Sequence, residues 1–190
     1  MSEINAVTFS SHAARAKGAM FFAVFGGAWL MLWNQFAMHG NRLGYLIIAV
    51  LGLTLFGMAV QRHRLYKPYS DEDSPETKKT GRTFYLINAA QWIIILIARN
   101  VLVNLGLADW IIPSVMLVVG LHFLPLAKLF NTPGLLWLGL VVSLFAIIYP
   151  FVLSQGAADP YGCLGAGVLL WGYAWLKLLG IPSVQNMSAV

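Results

Sequence analysis

The stretch WIIILIARNVLVNLG, residues 92–106, sets Arg99, Asn100 and Asn104 into a run that is otherwise soluble in lipid. Hydrocarbon offers these groups no hydrogen-bond partner, so protein, headgroup or solute must supply one. An arginine at the centre of a membrane helix costs about 2.5–3.5 kcal/mol on insertion scales. Arg99 lies roughly one to two turns from the end of its run, and its long stem lets the guanidinium climb toward the interface. The guanidinium is always charged and presents a rigid planar fork of donors, which suits a carboxylate or a phosphate. Asn88, Gln91, Ile95 and Arg99 follow helical spacing along one stripe. Such a stripe is expected to face the interior of a bundle.

Other polar groups are expected at a similar depth when successive helices reverse direction. Asn34 and Gln35 close the first apolar run at WNQFAMHG, Asp109 sits in a short connection, and Tyr149 precedes Pro150. With Arg99, Asn100 and Asn104 they form the candidate ligand-binding set, with Trp29, Trp33 and Trp110 as flat apolar walls. The chemistry of that set is the binding or transport of a small anionic solute in an outward-facing polar pocket.

His122, in GLHFLPLAKLF, is the second unusual group. Pro125 cannot donate to the carbonyl of Leu121, so a bend there would free an acceptor. Asn88, Gln91 and His122 form a candidate proton or polar path, since histidine titrates near neutral pH. Competing readings assign these groups differently. Arg99 could pair with Asp109 and only lock helices together, as in a structural or accessory membrane protein. His122 could simply satisfy a backbone carbonyl or Asn88. A third reading is a membrane enzyme acting on a lipid, with His122 or Tyr149 as acid or base. It ranks last because no catalytic constellation converges.

The elements that must position these residues are read from composition and hydropathy. Of 190 residues, 59% are hydrophobic and 10% charged. A soluble domain carries roughly 25% charged residues, so the chain is expected to be an integral membrane protein. Seven tryptophans fit the aromatic belts of a bilayer interface. A spanning helix needs about 20 mostly apolar residues, and six such runs occur, at about 18–38, 43–61, 83–105, 110–127, 134–154 and 161–179. The fold class is an all-α, six-helix transmembrane bundle over 18–180. Residues 1–17 are expected to be a mobile cytoplasmic segment, 62–82 a cytoplasmic loop and 181–190 a cytoplasmic tail. The first run is longer than a signal-peptide core and has no clear cleavage site, so it is read as a retained helix.

Turn chemistry marks the boundaries. HGNR, residues 39–42, is a polar turn. Thr132 with Pro133, Asp159 with Pro160 and Ser74 with Pro75 place a capping side chain ahead of a proline at a helix start. Gly180 and Pro182 end the last helix. Pro113 and Pro150 are expected to interrupt apolar helices.

Positive charge sets the orientation. With a cytoplasmic N-terminus, Arg15, Lys17, Arg62, Arg64, Lys67, Lys78, Lys79, Arg82, Lys128 and Lys177 all fall inside, and only Arg42 falls outside. Both termini are therefore expected in the cytoplasm, with the protein in the cell membrane, read as a bacterial inner membrane. The net charge of +5 is thus a topology signal that also attracts anionic lipid heads, and nucleic acid is not an expected partner. The single Cys163 can form no internal disulfide. The four histidines fall on different segments, so no metal site and no cofactor is expected. Ala19, Ala23 and Gly27 make a small-residue line on the first run, and Gly162, Gly165, Gly167 and Gly172 mark the sixth. Such faces pack helices closely, within the chain or in a homo-oligomer.

Overall fold

The computed structural model describes residues 3–69 and 75–180. Those residues are all helical apart from short turns: α1 (Glu3–Ala37), α2 (Arg42–Tyr66), α3 (Pro75–Asn104), α4 (Ile111–Leu129), α5 (Pro133–Val152) and α6 (Tyr161–Leu179). Short 3-10 turns lie at Lys67–Tyr69, Ala108–Trp110 and Gly156–Ala158. All six α-helices contain a segment long and apolar enough to cross a membrane.

The helices run longer than hydropathy alone predicts. α1 begins at Glu3 rather than near residue 18, so most of the segment expected to be mobile is helical. The cause is a narrow face at helical spacing. His12, Ala13, Ala16 and Ala19 are buried, and the alanines share a core with Leu55, Ala59 and Tyr66 of α2 and Ala174 and Leu178 of α6. Arg15 and Lys17, on the two edges of that face, are exposed, which is why the segment reads as polar. α2 continues to Tyr66 and α3 starts at Pro75, so the connection expected at 62–82 is much shorter. Ser74 and the tail 181–190 lie outside the described residues.

The chain forms two compact units. The first holds α1, α2 and α6 from Gly167 onward. α1 and α2 form a hairpin whose turn puts His39 and Gly40 at φ 52° and 71°. Asn41 then caps α2, its Oδ1 accepting from the N–H groups of Leu43 and Gly44 at 2.9 and 3.1 Å. α6 meets α1 through glycine. A Cβ on Gly167 would lie 3.0 Å from the Gly26 carbonyl oxygen, and one on Gly26 would lie 3.2 Å from that of Gly167. The Trp171 indole closes the contact, donating from Nε1 to the Ala23 carbonyl at 2.9 Å.

The second unit holds α3, α4, α5 and α6 up to Ala166. α4 and α5 are a hairpin turned at Asn131, φ 48°. They cross where Gly120 faces Gly139 and Ser143. α3 lies beside α4 with a half-buried line of Phe84, Ile87, Gln91, Ala98 and Leu102 around buried Ile95. The start of α6 tucks Gly162 under the Tyr149 ring and Gly165 beside Phe145. Asp159, 4% exposed, accepts from the N–H of Tyr161 at 3.0 Å and of Gln155 at 3.3 Å.

Two boundary expectations are corrected. Thr132 makes no side-chain cap on α5; its hydroxyl donates to the Phe130 carbonyl at 3.0 Å, although Pro133 does open the helix. Pro113 falls in the first turn of α4, where its missing N–H would have had no intrahelical acceptor, so it does not break the helix. Pro125 and Pro150 lie inside α4 and α5.

Candidate functional site

The sites proposed from sequence distribute over the two units. Arg99, Asn100 and Asn104 occupy the last two turns of α3, and all three are exposed. At about 100° per residue, Arg99 lies roughly 40° from buried Ile95, while Asn100 and Asn104 lie about 140° and 180° away. Arg99 therefore borders the seam with α4, and the two asparagines point to the opposite side. Asp109 follows in the 3-10 turn and is exposed as well. No ion pair joins it to Arg99. The side chains of Arg99, Asn100, Asn104 and Asp109 hydrogen-bond to no other described residue.

Asn34 and Gln35 belong to the first unit and serve its hairpin. Asn34 is fully buried, and its amide donates to the Asn41 carbonyl at 3.0 Å. Its backbone carbonyl accepts from the N–H groups of Met38 and Gly40 at 3.1 Å each. Gly44 lies so close that a Cβ there would fall on the Asn34 amide. Gln35 accepts from the Tyr45 hydroxyl at 2.6 Å. Asn34 Oδ1 is buried without a partner.

Tyr149 is 2% exposed in the second unit, and its hydroxyl donates to the Ala157 carbonyl at 3.4 Å. It stacks on Phe145 with ring centroids 5.4 Å apart. Asn88, Gln91 and His122 are half-buried on α3 and α4. None of the three side chains hydrogen-bonds to another described residue, and the Phe123 ring lies 6.0 Å from that of His122. Among the candidates, Arg99, Asn100, Asn104 and Asp109 all lie at or just beyond one end of α3, with Arg99 on a different face from the two asparagines and no hydrogen bond between their side chains. Asn34, Gln35 and Tyr149 each have local structural work instead.

Sequence spacing gave no warning of a second concentration of polar groups. It lies at the end of the first unit away from the His39–Asn41 turn. His12 and Arg15 of α1, Arg62, His63 and Tyr66 of α2, and Tyr173 and Lys177 of α6 meet there. The readable signals were the i, i+3 pair His12/Arg15 and the i, i+4 pair Tyr173/Lys177. Each looks like an ordinary charged helix end until the three helices are assembled. Among the described residues no group of His, Cys, Asp and Glu has the arrangement of a metal site. No family model matches the chain, and no curated protein or solved structure matches it either.

Proposed function

We propose that this chain is a polytopic membrane protein with both termini in the cytoplasm, and that Arg99 binds a small anionic solute on the outer side. The observation that supports the reading is the state of Arg99. It is an exposed guanidinium on an apolar helix, with no hydrogen bond or ion pair to a described residue. In hydrocarbon such a group needs a counter-ion or strong acceptors. A carboxylate or phosphate would take the guanidinium fork in two parallel hydrogen bonds. Asp109, in the turn that follows α3, would disfavour a second negative charge. The inside-positive distribution of lysine and arginine supports the orientation.

The test is thermal unfolding of the purified protein and of Arg99→Gln in detergent, with phosphate, sulfate and small carboxylates. A ligand at 100 times its dissociation constant stabilises by about 2.7 kcal/mol. One anion should raise the melting temperature of the wild type and leave the variant unmoved. If no anion shifts the wild type, the binding reading fails.

A structural or accessory role is the second reading, and one observation favours it. Asn34, Gln35 and Tyr149, all proposed as ligand contacts, make hydrogen bonds that hold turns together. On that reading Arg99→Gln lowers stability with no effect of any anion.

A further inference from the structure

The polar end of the first unit has no role in the Arg99 reading, and the side chains described there are basic or neutral. Arg15, Arg62, His63 and Lys177 come from three helices, and no described side chain of this unit is a carboxylate. Backbone contacts set two of the four in place. Arg62 Nη1 donates to the Leu178 carbonyl at 2.7 Å, and His63 Nδ1 lies 3.2 Å from the Ala13 carbonyl oxygen. Lys177 Nζ sits 5.0 Å from the centroid of the Tyr173 ring. Arg15 is exposed, hydrogen-bonds to no described residue, and lies within Coulombic reach of His12, Tyr173 and Lys177. Arg15 and Lys177, two cations within Coulombic reach, repel unless an anion joins them.

A second, independent observation concerns neutral groups beside the cations. His12 is 8% exposed, and its Nδ1 is buried with no partner. The Tyr173 hydroxyl is likewise buried and unpaired. Unpaired buried polar atoms are rare because each forfeits its hydrogen bonds with water. His12 and Tyr173 both lie beside Arg15, whose guanidinium hydrogen-bonds to no described residue. Burial of the alanine face of α1 places His12 and Arg15 on adjacent turns, and the α1–α6 approach at Gly26 and Gly167 brings Tyr173 alongside.

The helices that carry this cluster also decide its ligand. Beyond Lys17, α1 exposes Phe21, Val24 and Phe25, and α6 exposes Leu176 and Leu179 on either side of Lys177. A cationic rim above exposed apolar helix is complementary to a phosphate that carries acyl chains. We propose that Arg15 and Lys177, supported by Arg62 and His63, bind the phosphate of one anionic phospholipid, whose chains lie along the exposed apolar surface of α1 and α6. This site is separate from Arg99 and rests only on the membrane reading of the chain.

The experiment uses the full chain in detergent and follows its melting temperature with added phosphatidylglycerol, phosphatidylcholine or inorganic phosphate. Phosphatidylglycerol should raise the melting temperature of the wild type clearly more than phosphatidylcholine. Arg15→Gln and Lys177→Gln should each need about tenfold more phosphatidylglycerol for the same shift, equivalent to about 1.4 kcal/mol. Arg99→Gln should respond as the wild type does, which separates failure here from failure of the Arg99 reading. Should a Gln variant not fold, Arg15→Lys and Lys177→Arg keep the charge and should keep the response. Native mass spectrometry of the wild type should then count one retained anionic lipid. Equal shifts from both lipids, or undiminished responses in the Gln variants, would overturn the site. A full shift from inorganic phosphate alone in the Arg99→Gln variant, which lacks the other anion site, would overturn its assignment to lipid.

Discussion

α1 and α3 both carry polar side chains near the end of a long apolar helix, and the structure treats them in opposite ways. In the candidate span of α1, 39% of the most apolar stretch is buried, whereas the span of α3 buries only Ile95. Asn34 on α1 is fully enclosed and bonded to the next turn, while Arg99 on α3 is exposed and unpaired. The difference originates in small residues. Ala16, Ala19, Ala23, Gly26 and Gly27 let neighbours reach the backbone of α1. The matching length of α3 is WIIILIARNVLVN, bulky on all sides, and it offers one seam to α4. A polar group on a closely packed helix becomes architecture. The same kind of group on an uncovered helix stays available for something outside the chain.

Breaking the close approach of α1 should have the largest effect. Gly167→Val would push a branched side chain into Leu30 and the Gly26 carbonyl. It should lower unfolding stability by about 3 kcal/mol, the upper end of ordinary overpacking, as read by chemical denaturation in mixed micelles. A loss below about 1 kcal/mol would mean that α1 and α6 do not approach through their glycines.

Asn34→Ala comes next. It removes the amide bond to the Asn41 carbonyl, which keeps the Tyr45 N–H as a donor, and should cost about 1 kcal/mol, the usual net contribution of one hydrogen bond. Trp171→Phe removes the bond to Ala23 while keeping most of the ring, and should cost about 0.6 kcal/mol, the average for hydrogen bonds between membrane helices. Both are measured by the same denaturation assay. If Asn34→Ala proves neutral, the contrast with α3 is lost.

The smallest change is expected on α3. Asn104→Leu, on the side away from α4, should alter stability by less than about 0.5 kcal/mol, as for surface substitutions generally. A larger loss in the melting profile would show that something covers that face.

The six helices were legible because a bilayer-length apolar run is a strong and simple signal. Their ends were less so. The start of α1 hides its apolar face in three alanines between His12 and Ala19, too weak a stripe to outweigh Arg15 and Lys17. Asn41, flanked by glycine and a helix start, was readable as a turn, and its cap is observed. What hydropathy could not convey is rotation about each helix axis and the identity of each neighbour. Arg99, Asn34 and Tyr149 share a residue class and a position near a helix end, yet each has different surroundings. Asn34 faces the turn that follows it in sequence, and Tyr149 faces the start of α6. Neither pairing follows from hydropathy, since both depend on how a short loop closes. The split between the two units within α6 leaves no mark in the sequence either.

The central claim is that the end of α3 is open and that Arg99 there holds an anion. The test labels Val103→Cys, exposed one turn from Arg99 on the same face, with a membrane-impermeant maleimide, in a Cys163→Ala background that removes the buried native thiol. Labelling of intact cells from the outside is expected, slowed by the anion that stabilises the wild type. Adding Arg99→Gln should abolish that protection. Labelling only from the cytoplasmic side, or protection that persists without Arg99, would contradict it.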